Sequence, residues 1–147
     1  MKNSNIQLTF ANVMKYGFIA GIIISITSYA FLYFMINVFP SIFIDYLNPM
    51  FNSDGSRDLY YYLHGFVLGI SLAIFWLGFR RTGNRGFFIN GIEFALMYAC
   101  VALIPVLWVT YSAMDVTFTM ILSWLIYGTT QAFIGAMVFT ALDTKKH

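Results

Sequence analysis

Charge is scarce in this chain: eight Lys and Arg and six Asp and Glu stand among 147 residues, against 60% hydrophobic residues and a mean hydropathy of +0.75. Soluble domains carry about 25% charged residues, and a fold of this size in water cannot clothe its surface with so few polar groups. A water-soluble globule is therefore excluded. Cysteine is scarcer still. Cys100 stands alone, which rules out an internal disulfide, a paired-thiol redox centre and a cysteine-rich metal cluster, and leaves it as a small packing residue in a helix. The net charge of +2 is too small to hold nucleic acid. No phosphate-binding glycine loop and no hydrolase nucleophile elbow is present. No cofactor is expected, because a haem gripped by two histidines of one chain would need a second in-span ligand beside His64.

Long apolar runs are what the chain does have. Residues 16–39, 59–79, 87–110 and 116–142 form four of them, with nearly every charge lying between. Each exceeds the ~20 residues that cross a hydrocarbon layer about 30 Å thick at 1.5 Å per residue. The expected fold class is an all-α membrane protein in one domain, a transmembrane four-helix bundle whose short connections make consecutive spans antiparallel neighbours. The first run is too long for a signal-peptide core and lacks a small-residue cleavage site, so it reads as a retained span.

The cations orient the chain. Lys2, Lys15, Arg80, Arg81, Arg85, Lys145 and Lys146 fall on one side of the expected membrane and only Arg57 on the other. Both termini are thus expected in the cytoplasm, in a plasma or bacterial inner membrane. Asp45, Asp54, Asp58 and Asp115 fall on the outer side, leaving that face acidic. Within the first outer loop, residues 41–47 are amphipathic enough for a short helix at the membrane surface, followed by turn residues from Asn52 to Ser56.

Small residues at four-residue spacing run through every span: Gly17 and Gly21; Gly65 and Gly69; Gly91 and Ala95; Gly128 and Ala132, with Gly135 beside them. Lipid chains are as apolar as leucine, so helices associate in a bilayer by close backbone approach, which such stripes allow. They serve packing within one chain, or contact with a second copy or another membrane protein.

Few residues can carry chemistry. His64 lies about a turn and a half inside the outer end of the second span, within reach of Asp58, Tyr111 and Asp115 at the outer surface. Glu93 lies near the inner end of the third span, three residues after Asn90, and Asn-x-x-Glu at a helix start is capping-box spacing, with Arg80, Arg81 and Arg85 at hand to neutralise the acid. His64 and Glu93 sit roughly 15 Å apart in depth and do not form a pair. Pro105 removes a backbone hydrogen bond and crowds the turn at Val101, a kink that would splay the outer half of the third span and open a vestibule. In the fourth span, Trp124, Tyr127, Gly128, Gln131 and Gly135 share one face, and Gln131 should hydrogen-bond across to another helix. One histidine with scattered carboxylates lacks metal-ligand spacing, and no metal site is expected. Rings such as Tyr60, Tyr61, Trp76 and Trp108 read as interfacial anchors.

Abundant packing chemistry beside sparse catalytic chemistry points first to a non-enzymatic accessory or interaction subunit acting through its helix faces. The second reading, from a different class, is a small transporter or ligand- or metal-binding bundle that uses the outer vestibule around His64. An enzyme acting on lipid would need a catalytic constellation that these residues do not supply.

Overall fold

In the computed structural model the described residues are 8–40, 44, 51, 55–79 and 86–144. The described elements are all helical, and four helical stretches are long and apolar enough to cross a membrane: Phe10–Val38, Asp58–Gly78, Phe87–Ala113 and Phe118–Asp143. Residues 41–47, where a surface helix is expected, lie outside the described residues apart from Ile44.

Helix α1 (Phe10–Val38) starts one turn and more before the apolar run, because Thr9 caps it: Thr9 is extended and its hydroxyl accepts from the Asn12 backbone N–H at 3.4 Å. Lys15 does not interrupt the helix. It is exposed, and its long stem lets the ammonium reach polar surroundings from an apolar surface. The helix stops ahead of Pro40, which disfavours helical backbone in the residue before it; Phe39 leaves helical geometry while its N–H still reaches the Met35 carbonyl at 2.8 Å. Helix α2 (Asp58–Phe79) follows a turn in which Gly55 takes a φ of 79°, and Asp58 sits in its first turn, where the helix dipole favours a carboxylate.

The third stretch is not one regular helix. Helix α3 (Phe87–Tyr98) passes through a π turn (Ala99–Leu103) into α4 (Ile104–Ala113). The Ile104 N–H bonds the Ala99 carbonyl five residues back. Pro105 explains the widening: it has no N–H to donate and its ring would strike the carbonyl four residues earlier, so an extra residue in the preceding turn relieves the clash. Beyond it α4 buries no residue at all. Helix α5 (Phe118–Thr144) begins after Thr117, whose hydroxyl accepts from the Met120 N–H at 3.3 Å.

Helix α5 packs against every other helix, while α1 lies along α2 and α3 along α5. The α1–α2 contact is backbone on backbone. A Cβ added at Gly69 would lie 2.5 Å from the Gly17 carbonyl oxygen and 2.7 Å from the Gly21 nitrogen, and one added at Gly17 would lie 2.6 Å from the Ile70 Cα. Gly91 abuts Phe133, Gly128 abuts Leu103 and Gly135 abuts Leu72. All nine stripe residues, Ala95 and Ala132 included, are buried against other helices of the same chain.

A candidate ligand cleft

The start of α1, the end of α2, the start of α3 and the end of α5 meet in a closed aromatic cluster. Tyr16 and Phe139 are fully buried, with ring centroids 6.0 Å apart, and Trp76 lies 5.7 Å from Phe139 and 5.2 Å from Phe94. The buried Asp143 carboxylate closes this end. Tyr16 Oη donates to its Oδ1 at 2.7 Å and Trp76 Nε1 donates to its Oδ2 at 3.2 Å. Charge-assisted bonds of this kind are roughly twice as strong as neutral ones, and these two tie α1 and α2 to α5.

Sequence reading misses this cluster. Next to Lys145 and Lys146, Asp143 reads as one more loop charge, and Trp76 reads as an interfacial anchor. A signal does exist: Asp143 follows Ala132 by eleven residues, which brings it back to the same face of a helix as Ala132, Ala136 and Phe139. Those three are completely buried.

Toward the opposite end the helices part. A cleft of about 220 Å³ opens between α1, which contributes Ser25, Ser28 and Tyr29, α2, which contributes Tyr61, Tyr62, His64 and Gly65, and α5, which contributes Tyr127 and Gln131. Ser25 continues the Gly17–Gly21 stripe by one more step of four, so it faces α2, and a Cβ at Gly65 would strike its hydroxyl. The Ser25 Oγ is buried and has no hydrogen-bond partner. Deeper in, Gln131 is 3% exposed and its Nε2 donates to Ser28 Oγ at 2.9 Å; this is the interhelical bond expected of an amide in hydrocarbon. Three rings crowd the rim. Tyr29 lies 5.9 Å from Tyr62 and nearly parallel to it, while Tyr61 stands edge-on to both at 6.3 and 6.2 Å. Tyr127 stacks on Phe31 at 6.0 Å.

Of the residues singled out from sequence, His64, Tyr127 and Gln131 thus meet in one place, with His64 exposed at the rim. Asp58, Tyr111, Asp115 and Trp124 are not part of the lining. Asp58 and Asp115 are exposed, Tyr111 packs edge-on against Phe118 at 6.2 Å, and Trp124 meets Phe51 at 6.5 Å. The cleft differs from the vestibule expected beside Pro105 because it is α1 that lies along α2 and walls the space there, a pairing of helices that spacing along the chain does not report. Among the described residues no three His, Cys, Asp or Glu side chains converge on a point where a metal ion could bind.

The capping box at Asn90 and Glu93 is corrected. Helix α3 is already running at Phe87, after Gly86 with a φ of 87°, and the Asn90 N–H donates to the Gly86 carbonyl at 3.1 Å. A glycine that reaches positive φ starts the helix ahead of the asparagine, so Asn90 lies inside it and caps nothing. Glu93 is exposed, and Arg80, Arg81 and Arg85 lie outside the described residues.

No protein-family model, curated protein or solved structure matches this chain.

Proposed function

We propose that this chain is a small multi-pass membrane protein, an antiparallel bundle of four spans with both termini on the cytoplasmic side, and that it binds a small molecule in the cleft between α1, α2 and α5. The observation that carries the second half is the cleft itself, a space walled by hydroxyls, an amide and aromatic faces, with one wall oxygen, Ser25 Oγ, buried and unpartnered. An unsatisfied hydroxyl in an apolar setting costs free energy, and a ligand that bonds it recovers that cost. The orientation rests on the seven cations of one side against one on the other.

This reverses the order of the two roles read from sequence. An interaction subunit drew its motive from the small-residue stripes, and the stripes are occupied by packing inside the chain. One observation still favours that second reading: α4 buries none of its residues and leaves Trp108 76% exposed, a face that another membrane protein could cover.

Native mass spectrometry of the chain released from a mild detergent tests both. A small-molecule adduct on the wild-type monomer that vanishes in His64→Ala and Tyr62→Ala is the expected result. A bare monomer from all three would refute cleft binding, and a stoichiometric second polypeptide in place of the adduct would favour the interaction role. Reporter domains fused to the two ends should appear on the same, cytoplasmic side.

A further inference from the structure

We infer that the cleft takes a small organic ammonium group, of the kind carried by choline and by the headgroups of amine-bearing lipids, seated over the rings of Tyr29, Tyr61 and Tyr62. The inference rests on the cleft being a binding site and adds the class of its ligand.

The rings come first. Their centroids form a triangle with sides of 5.9, 6.2 and 6.3 Å, so one cation poised over the triangle can lie within about 6 Å of all three, the range in which ring quadrupoles attract it. Tyr29, Tyr61 and Tyr62 are 40%, 54% and 55% exposed, so they remain open to a ligand from the cleft and its mouth. An anion is disfavoured twice: ring faces repel it, and among the described residues neither Lys nor Arg lines the space. A bare metal ion would need a set of carboxylate or imidazole ligands, and no such set converges there among the described residues. An alkylammonium needs neither, because its charge is spread over a weakly hydrated surface that rings can replace.

Charge and size agree. Among the described residues, the exposed Asp58 and Asp115 stand at this end of the helices against Arg57, a net acidic field that concentrates cations at the mouth. At about 30 Å³ per water, a volume near 220 Å³ holds roughly seven water-sized groups, the scale of choline. The Ser25 hydroxyl, buried without a partner, is then available to the ligand's own oxygen.

The test uses the full chain purified in a maltoside detergent, which carries no ammonium, with choline chloride, tetramethylammonium and the uncharged carbon isostere of choline, dimethylbutanol, titrated in turn by calorimetry. Choline and tetramethylammonium should bind saturably, with choline at least about tenfold tighter than its isostere, the ratio given by ~1.4 kcal/mol of cation–π preference. Tyr29→Phe and Tyr62→Phe, which keep the ring, should stay within about threefold of wild type, whereas Tyr29→Leu and Tyr62→Leu should lose about tenfold. Gel filtration of each variant separates lost binding from lost folding. Equal affinity for choline and dimethylbutanol would overturn the ammonium class and leave the cleft standing as a site. Binding of neither, beside a small-molecule adduct in the mass spectrum, would overturn the class alone; binding of neither with no adduct would overturn both. Nanodiscs assign the source. Choline affinity that falls in phosphatidylcholine discs relative to phosphatidylglycerol discs supports a lipid headgroup as ligand, and equal affinity supports a free ammonium compound.

Discussion

The same three helices, α1, α2 and α5, meet at both ends of the molecule and finish them in opposite ways. At one end large rings fill the space and the Asp143 carboxylate receives a donor on each oxygen. At the other the residues between the helices are serines, tyrosines, a histidine, a glutamine and a glycine, a cleft remains, and the Ser25 oxygen has no partner. In hydrocarbon no hydrophobic force squeezes helices together, so closure depends on shape and on polar groups finding one another. The contrast therefore separates the part of the chain that holds the fold from the part free to bind.

Breaking the closed end should have the largest effect. Asp143→Ala removes the carboxylate that accepts from both the Tyr16 hydroxyl and the Trp76 indole N–H, and should lower stability by about 3 kcal/mol, given that bonds to charged groups contribute roughly 1.5–3 each. Unfolding in detergent by graded denaturant measures it. A loss below about 1 kcal/mol would mean that the rings alone hold this end.

Next comes the contact that both ends share. Gly69→Ala puts a methyl 2.5 Å from the Gly17 carbonyl oxygen and should cost about 2 kcal/mol, since backbone cannot step aside as a flexible side chain can. Gly78→Ala, nine residues on in the same helix, has nothing within 4 Å of the new methyl and should be neutral or stabilising by up to ~1 kcal/mol through helix propensity. If the two variants unfold alike, the close α1–α2 approach is not what orders these helices.

Legibility from sequence follows the range of the interaction. The four apolar helices are plain in the sequence because hydrocarbon thickness sets a length that a run of residues either meets or does not. Small-residue stripes and the disturbance at Pro105 are local patterns, and they too are visible; the π turn that absorbs the proline is not, because several backbone adjustments answer the same clash. Helix ends are less plain. Lys15 hides the start of α1, and Gly86 starts α3 where the third apolar run begins but ahead of the turn that Asn90 would cap. The cleft was half visible: His64, Tyr127 and Gln131 stand out as polar residues in apolar runs. Ser25, Ser28, Tyr29, Tyr61 and Tyr62 join them only once α1 is known to pack against both α2 and α5, and the bonds of Asp143 to Tyr16 and Trp76 follow only from the same knowledge, although its place on the buried face of α5 can be read from spacing.

At the open end the effects should be smaller and should differ in sign. Gln131→Leu removes the bond to Ser28 and should cost about 0.6–1.7 kcal/mol, the span measured for interhelical bonds in membranes. Ser25→Ala should do the reverse. Its hydroxyl is desolvated without a partner, so deleting it removes a penalty and no bond, and the ligand-free protein should be unchanged or more stable by up to ~1 kcal/mol. The same change takes away the polar group that a ligand would meet in the wall, so any bound molecule should hold on less tightly in the variant that unfolds later. Stability and binding moving in opposite directions is the mark of a group kept for a ligand. A serine retained for packing would move both the same way, and comparing denaturation midpoints with ligand retention in wild type and Ser25→Ala decides between them.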